Sequence, residues 1–325
     1  MMKLHILKGH GSNNDFILID ETNQTNQTNH PIGEDHRARL TRTLCNRGTG
    51  VGADGVLFYQ ASESADCKMR MLNPDGGEAE MCGNGLRLIG RYASEKLMKP
   101  KVSVETAKAI LAVQRGSELF DGIETFEAEI GPISLAPACL PMQVDGKTFI
   151  DRCIPELSDS LKFTALSVPN PHIVAIVDRI DENRVTECGA AANHSAVFPK
   201  GVNMSFVESL GQNRLFVVTY ERGVGITRSC GTAMSASAYV SALLKHTDRS
   251  KPISVYNRGG LVQCDVSRPE TRIILKGNAT FVFEATIEVS DDYQSIDPDF
   301  NRQLRPDEIR AYESLEAHAK TIIGK

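Results

Sequence analysis

Two cysteines, Cys82 and Cys230, stand in the same short sequence context. Each is followed directly by a glycine and has another glycine five residues before it, Gly77 or Gly225. A strand-like run, M-R-M-L or V-V-T-Y, lies upstream of each cysteine, and a helix-compatible stretch lies downstream. This pattern predicts a strand, a glycine turn and then a thiol at a helix N-terminus, once in each half of the chain.

Thiols in this position are suited to proton transfer at carbon. The helix dipole and the free N–H groups of a helix start favour the thiolate. The reference pKa of a thiol, about 8.5, is close enough to neutrality for one thiolate and one thiol to coexist. Two such groups on opposite faces of a carbon could invert it, whereas a single base would return the proton to the face it left.

The acidity of the reacting carbon sets a second requirement. An amino-acid α-proton is a weak acid, and the sequence shows no motif for a pyridoxal-phosphate lysine that could act as an electron sink. Hydrogen-bond donors at two helix starts could stabilise the charge on the α-carboxylate, and one such donor is typically worth ~3 kcal/mol. The residues therefore favour proton transfer without a cofactor.

Composition and charge exclude several other classes. The chain has 325 residues, of which 41% are hydrophobic and 24% charged, as in globular proteins large enough for two domains. A formal charge of −5 argues against a nucleic-acid or anionic-membrane partner. No apolar run approaches the ~18 residues of a membrane span, and the N-terminus lacks the apolar core of a signal peptide, so we expect a cytoplasmic protein.

The remaining cysteines and glycines suggest no metal or nucleotide site. No C-x-x-C occurs, so the sequence predicts no metal. The G-x-G-x-x-G at Gly50, Gly52 and Gly55 precedes a strand-like run, whereas a dinucleotide-binding motif follows a strand, so we interpret these glycines as turn residues. Free, buried, structural thiols are expected at Cys45, Cys67, Cys139, Cys153, Cys188 and Cys264.

The pattern of elements indicates an α+β protein rather than a parallel doubly wound sheet. A helix is predicted over 34–45 and after each of the two cysteines, and a polar loop over 23–30. An amphipathic helix beginning near Pro306 is expected to dock on the body or on a partner subunit. A turn is predicted at 257–260, and strands at 3–8, 16–20, 55–59, 68–72, 102–106, 173–177, 203–207, 215–220, 253–256, 261–266, 271–276 and 281–289.

Several sequence blocks together resemble the diaminopimelate epimerase family. The resemblance runs from residue 1 to about 289 and is most specific in the pair M-C-G-N-G and Y-E-R-G-x-G…C-G-T. The blocks lie at 10–20, 50–56, 71–87, 168–172, 198–203 and 220–233.

This resemblance implies a fold of two pseudo-symmetric α/β lobes with a cleft between them, each lobe a curled, mostly antiparallel sheet around a central helix. One lobe would comprise 1–130 plus 280–325, with Cys82 and the tail helix, and the other 131–279, with Cys230. It also implies an isomerase that needs no pyridoxal phosphate or other cofactor and that interconverts L,L- and meso-diaminopimelate in the synthesis of lysine and peptidoglycan precursors. The implied binding partner is this small-molecule substrate, and the implied assembly is a homodimer.

The resemblance also assigns roles by position. Cys82 and Cys230 correspond to the acid/base thiols, and His172 to a position near them. Donors of N–H groups to the α-carboxylate would be Gly83, Asn84, Gly231 and Thr232. Groups that hold the substrate, chiefly its distal end, would be Asn14, Asn73, Asn170, Asn203, Glu221 and Arg222.

Two positions beside the second thiol depart from the family pattern. The more usual G-E-T-x-A-C-G-T-G-A is G-I-T-R-S-C-G-T-A-M here, so Ile226 replaces an acidic residue and Ala233 a glycine. The long loops and the C-terminal tail resemble a longer branch of the family.

Three alternatives remain open from the sequence. A related two-thiol racemase for proline, hydroxyproline or histidine would keep both cysteines but would not need the Asn-Glu-Arg set. A redox switch would use Cys82 and Cys230 as a regulatory disulfide. A non-catalytic binding protein would leave the two thiols without a purpose.

Overall fold

The protein is described by a computed structural model that covers residues 1–22, 32–79, 81–267 and 271–324. Its helices are α1 (Glu34–Cys45), α2 (Gly83–Leu97), α3 (Glu182–His194), α4 (Gly231–Leu243) and α5 (Pro306–Ile323). Its strands are β1 (Met2–Gly11), β2 (Asn14–Asp20), β3 (Gly55–Gln60), β4 (Cys67–Leu72), β5 (Lys101–Glu105), β6 (Ile110–Arg115), β7 (Thr125–Ile130), β8 (Arg152–Ile154), β9 (Ser158–Ser167), β10 (Pro171–Val177), β11 (Asn203–Gly211), β12 (Arg214–Glu221), β13 (Gly225–Ile226), β14 (Ile253–Asn257), β15 (Gly260–Asp265), β16 (Ile273–Asn278), β17 (Thr280–Val289) and β18 (Gln303–Leu304).

The chain divides into two compact units. The N-terminal unit comprises Met1–Ala128 and Asn278–Glu313, and the C-terminal unit comprises Glu129–Gly277 and Ser314–Lys325. The expected boundaries placed all of 280–325 in the first lobe, whereas the structure assigns the end of α5 to the C-terminal unit. The physical reason is local, because Ile323 packs on the apolar core of that unit and Glu316 lies 3.9 Å from Arg228.

The two units share one sheet topology. In the N-terminal unit the strands pair in the order β17, β1, β2, β3, β4, β5, β6, and only β2–β3 and β4–β5 are parallel. In the C-terminal unit the order is β8, β9, β10, β11, β12, β14, β15, and only β10–β11 and β12–β14 are parallel. The same succession of strand directions confirms an α+β fold of two pseudo-symmetric lobes.

Each parallel pair requires a crossover, and a helix provides it. Helices α1 and α3 make the first crossover of each unit, and α2 and α4 make the second. Helix α2 contacts all six strands from β1 to β6, and α4 contacts the six corresponding strands β9, β10, β11, β12, β14 and β15. The mostly antiparallel sheet of each unit therefore curls around one central helix.

Small residues bring the central helices close to their sheets. A Cβ atom added at Gly90 of α2 would lie 2.2 Å from Cγ1 of Val113 on β6, so only glycine allows this approach. Helix α4 also packs closely on its sheet, because it is rich in alanine and serine and is buried from Gly231 to Ala242. Because the central helices are enclosed, the position of each helix start is fixed by packing along its whole length.

Helix α5 begins at Pro306, as predicted, and packs on the N-terminal unit through its first turns. The Arg91 guanidinium of α2 lies 2.6 Å and 2.8 Å from the two carboxylate oxygens of Glu308. The same carboxylate accepts the Phe281 N–H at 2.9 Å, and the ring of Tyr312 meets that of His10 edge-on at 4.3 Å. The tail helix is thus anchored to the helix that carries Cys82.

Most predicted elements are confirmed, and their ends shift by a few residues. The helix over 34–45 and the turn between β14 and β15 are as expected, and Gly52 lies with φ of 80° in a loop that precedes β3. The predicted loop over 23–30 lies outside the described residues. The sequence interpretation missed α3, β6, β7, β8, β9, β13 and β18. Among the helices of the described residues, none is long and apolar enough to cross a membrane.

Candidate active site

The Cys82 thiol caps the N-terminus of α2. Its backbone is extended, with φ of −145° and ψ of 110°, and its Sγ accepts the N–H of Gly85 at 3.3 Å. A turn after β4 leads to this position, closed by the Asn73 N–H on the Gly77 carbonyl at 2.8 Å. Gly76 in the turn has φ of 86°, a conformation that favours glycine.

Two side-chain amides lie beside the Cys82 sulfur. The Oδ1 of Asn14 is 3.7 Å from Sγ and accepts the Nδ2 of Asn84 at 3.2 Å. Asn14 Nδ2 donates to Asp54 Oδ2 at 3.0 Å, and Arg87 Nη2 donates to Asn84 Oδ1 at 2.9 Å. Both Asn84 and Arg87 are completely buried. The structure therefore brings Asn14, Asn84 and Cys82 together.

A network of charged side chains is bonded to Asp54, the carboxylate that accepts the Asn14 amide. Arg47 bonds to Asp15 at 2.8 Å and to Asp54 at 2.7 Å, and Lys8 lies 2.6 Å from Asp15. Burial alone would raise the pKa of Asp15, but Arg47 and Lys8 outweigh it and lower this pKa to about 2. Sequence reasoning missed Asp54 and Arg87, although both lie in blocks that carry the family resemblance.

Cys230 is the N-cap residue of α4 in the C-terminal unit, but its side chain makes no capping hydrogen bond. Its backbone is also extended, with φ of −127° and ψ of 112°, and its Sγ lies 3.4 Å from the Thr232 hydroxyl. Asn170 Nδ2 donates to that hydroxyl at 3.1 Å, and His172 Nε2 is 2.9 Å from Asn170 Oδ1 and 3.2 Å from Thr232 Oγ1. The structure thus places His172 two hydrogen bonds from the second thiol.

His172 is an uncharged ring. It is completely buried, which lowers its pKa to about 3, and the positive charge of Arg222 acts in the same direction. Among the described residues, its Nδ1 has no hydrogen-bond partner. The ring is therefore neutral at physiological pH and holds its neighbours by hydrogen bonds rather than by charge.

The other predicted binding residues of this unit form an adjacent group. Asn203 pairs with His172 across β10 and β11, and its Oδ1 accepts the Arg222 N–H at 2.9 Å. Arg222 is exposed and its Nη1 donates to the Lys200 carbonyl at 2.8 Å, whereas Glu221 accepts the hydroxyl of Thr227. Gly223 and Gly225, with φ of 78° and 98°, shape the turn that follows.

The two thiol clusters correspond position by position. In each unit the residue two places after the cysteine, Asn84 or Thr232, bonds to an asparagine. This asparagine is Asn14, the first residue of β2, or Asn170, the residue immediately before β10. The identical topology of the two sheets explains this correspondence, because equivalent strands bring equivalent residues to the helix start.

Comparison with known proteins identifies the family. The model of the family described as diaminopimelate epimerase matches residues 6–118 and 164–282. The diaminopimelate epimerase of Clostridium acetobutylicum is 43% identical over 293 residues, which cover 89% of this chain and 87% of that protein. The chain belongs to the diaminopimelate epimerase family.

Solved structures of more distant proteins share the fold of this epimerase family member. A PhzF-family phenazine biosynthesis protein of Bacillus anthracis matches with a TM-score of 0.61 and 17% identity, over 89% of this chain and all of that chain. A hydroxyproline epimerase of Agrobacterium vitis matches with a TM-score of 0.59 and 15% identity, over 87% and 90% of the two chains. At these identities the likeness concerns the fold alone.

The departures from the epimerase family pattern are accommodated by packing. Ile226 pairs with Tyr220 across β12 and β13, and its side chain packs on the apolar core of the C-terminal unit. Ala233 is completely buried in the first turn of α4. Both replacements therefore contribute apolar contacts near Cys230, which keeps its position at the N-cap of α4.

The other cysteines differ in their surroundings. Burial raises the pKa of Cys45 and Cys67 to about 12, so these thiols stay protonated, and Cys188 and Cys264 are also buried. The prediction of burial is wrong for Cys139 and Cys153, which are exposed. Cys153 lies on the short strand β8, which pairs with β9. In the part of the chain that the structure describes, no group of His, Cys, Asp and Glu could hold a metal ion.

Proposed function

We propose that this protein interconverts L,L- and meso-diaminopimelate by proton transfer between two thiols, Cys82 and Cys230, without a cofactor. The observation that carries the proposal is that each cysteine is the N-cap residue of the central helix of its unit, at the same topological position. Membership of the family supports the substrate, and the lysine and peptidoglycan precursor pathway follows from it. By the same resemblance we expect a cytoplasmic homodimer.

In the proposed reaction, one thiolate removes the α-proton and the other thiol delivers its own proton to the opposite face. The charge that develops on the α-carboxylate is met by the free N–H groups at the starts of α2 and α4, contributed by Gly83, Asn84, Gly231 and Thr232. Such donors are already oriented before the reaction begins, so they need no reorganisation as the charge forms. In the reverse direction the two thiols exchange roles.

The distal end of the substrate would be held by polar side chains. A carboxylate there fits the guanidinium of Arg222, of which only Nη1 is engaged by the Lys200 carbonyl in the contacts described above. The distal ammonium fits Glu221. Asparagine amides, which both donate and accept, would complete the set with Asn14, Asn73, Asn170 and Asn203. Recognition of this second amino-acid centre separates the proposed substrate from proline, hydroxyproline and histidine.

Deuterium uptake from D₂O tests the proposal. Purified protein is incubated with L,L-diaminopimelate or with proline, hydroxyproline or histidine, and incorporation at the α-carbon is followed by mass spectrometry. We expect uptake with diaminopimelate and none with the other amino acids. Uptake with one of the single-centre amino acids instead would assign the protein to a related two-thiol racemase. Uptake with none of these amino acids would leave the redox switch and the non-catalytic binding protein as the remaining alternatives.

Replacing Arg222 by Lys is expected to raise the KM for diaminopimelate about tenfold to a hundredfold. A hydrogen bond to a charged group contributes about 1.5–3 kcal/mol, and Lys cannot reproduce the planar fork of Arg. We expect a smaller change in kcat, because the distal carboxylate is remote from the proton transfer. Steady-state kinetics of the exchange reaction measure both constants. Arg310→Lys, an exposed replacement on α5, is the matched control; an equal effect of the two replacements would refute the assignment.

A further inference from the structure

One short segment of the chain holds Arg222 at both its backbone and its side chain. The backbone N–H of Arg222 donates to Asn203 Oδ1 at 2.9 Å, and Nη1 of its guanidinium donates to the Lys200 carbonyl at 2.8 Å. Both acceptors lie on the segment 200–203, which leads from the loop after α3 into β11. The direction of the guanidinium therefore depends on the conformation of this segment.

The side chain of Asn193, in the last turn of α3, bonds to that segment at two points. Its Oδ1 accepts the Val202 N–H at 3.0 Å, and its Nδ2 donates to the Val202 carbonyl at 3.0 Å. Nδ2 also donates to the Gly189 carbonyl at 2.8 Å, one turn earlier in the helix. A single amide thus pairs with both backbone groups of Val202, as a residue of a neighbouring strand would, and ties them to α3.

The burial of Val202 makes this pairing important. Val202 lies directly before β11 and is completely buried, so its N–H and carbonyl groups need partners within the protein. The turn before it is closed by backbone bonds from Phe198 to Ser195 at 3.1 Å and from Gly201 to Phe198 at 2.8 Å. These local bonds set the shape of the turn, whereas Asn193 sets its position relative to α3.

Gly201 allows the Asn193 amide and the Arg222 side chain to approach the same point of the backbone. Its φ is 70°, a conformation that favours glycine. A Cβ atom at this position would lie 2.6 Å from Asn193 Oδ1 and 2.7 Å from Arg222 Cδ. A displacement of the segment would therefore move the Arg222 side chain directly.

Helix α3 is a firm support for this arrangement. It packs on β11 and β12, and a Cβ atom at Gly189 would lie 2.3 Å from Cγ of Tyr220 near the end of β12. Helix α3 is thus packed against the strand that leads to Arg222, and through Asn193 it is bonded to the segment that holds the guanidinium.

We propose that Asn193 is a positioning residue that orients the guanidinium of Arg222 before the substrate binds. The inference rests on the proposed function, in which Arg222 binds the distal carboxylate of diaminopimelate. An arginine side chain that moves freely must be ordered on binding, whereas one that is already held loses less conformational freedom. Asn193 thereby contributes to recognition of the second amino-acid centre through Arg222.

Replacement of Asn193 by Ala is expected to raise the KM for diaminopimelate about three- to tenfold, the effect of ordering one long side chain, and to leave kcat within about twofold. Asn193→Asp, which has the same shape but cannot donate when ionised, should raise KM similarly. His194→Ala is the matched control, because the His194 Nδ1 also bonds back within α3, to the Ala190 carbonyl at 2.8 Å. The control should keep the wild-type KM.

A double-mutant cycle distinguishes positioning from a general structural role. Arg222→Ala removes the side chain that Asn193 orients, so adding Asn193→Ala to it should change KM by less than about twofold. A residue that only stabilised the fold would have the same effect with and without Arg222, or would lower kcat. Equal effects of Asn193→Ala in the two backgrounds would overturn the proposal.

Backbone amide exchange in D₂O measures the hold on the segment without any substrate. In Asn193→Ala we expect the amides of Val202 and Arg222 to exchange about tenfold faster, as the loss of one hydrogen bond allows, while those of β12 keep their wild-type rates. Unchanged exchange at both amides would contradict the proposed hold.

Gly201→Ala provides a second variant that decides the test if Asn193→Ala does not fold. The added Cβ must displace the Asn193 oxygen or the Arg222 side chain, so KM should again rise at least about threefold with little change in kcat. Uptake of deuterium into diaminopimelate by the wild type, with unchanged KM in both variants, would refute only the role of Asn193. No uptake by the wild type would refute the proposed function, and with it the ligand assigned to Arg222.

Discussion

Replacement of Cys82 or Cys230 by Ser is expected to slow deuterium exchange into diaminopimelate about a thousandfold. A correctly placed general acid or base contributes about 10²–10⁴-fold, and a serine hydroxyl is far too weakly acidic to replace a thiolate near neutrality. Because inversion uses both thiols in each direction, the two single replacements should be similarly severe. Their combination should cost little more, since groups that act as a unit are not additive.

The control for this experiment is Cys153→Ser, because Cys153 is exposed and lies on β8. We expect it to keep wild-type exchange. The redox-switch alternative makes the opposite prediction for Cys82 and Cys230, since a sensor would retain any isomerase activity after either replacement. If either Ser variant exchanged deuterium at more than about a tenth of the wild-type rate, the replaced cysteine would not be one of the acid/base pair.

Replacement of Glu308 by Ala is expected to lower the free energy of unfolding by about 3 kcal/mol. Removal of one partner of a buried ion pair leaves the other charge uncompensated and typically costs about 3–5 kcal/mol. Arg91 is the group left behind, with 7% of its side chain exposed, and the Phe281 N–H loses its acceptor as well. We place the loss at the lower end because Arg91 keeps Glu95 at 2.8 Å and the Phe281 ring at 3.8 Å.

Urea denaturation measures this effect, with Glu313→Ala as the matched control on the same helix at an exposed position. The control should change the free energy of unfolding by less than about 0.5 kcal/mol. A double variant that also replaces Arg91 by Met should recover part of the loss, because it removes the unpaired charge. A loss of less than about 1 kcal/mol in Glu308→Ala would show that α5 does not depend on this ion pair.

The sequence predicted elements well where the local pattern was strong. The helix starts after Cys82 and Cys230 were predictable because a glycine turn and a capping thiol are local features. Other signals were present but overlooked. In β9, Leu161, Phe163 and Ala165 alternate with polar residues, a typical half-buried strand. Helix α3 was missed because its apolar residues are small and widely spaced among polar ones.

Less of the site than of the fold could be predicted from the sequence. The family resemblance assigned Asn84 to the helix start and Asn14 to substrate binding, and only the structure shows that both amides lie beside Cys82. The resemblance did not indicate that Asp54 and Arg87 bond to these amides, because such contacts depend on how the folded chain brings donors and acceptors together. Exposure of Cys139 and Cys153 was equally invisible, since burial depends on neighbouring strands and not on residue type.

By itself, the amino-acid sequence determined the two thiols, their capping positions and the family, because cap and turn preferences are local and the family blocks are long. Only the tertiary structure decided how each thiol is hydrogen-bonded, how His172 is oriented and where α5 is anchored. The physical reason is that a hydrogen bond has a direction and a partner, and both are set when strands remote in sequence become neighbours.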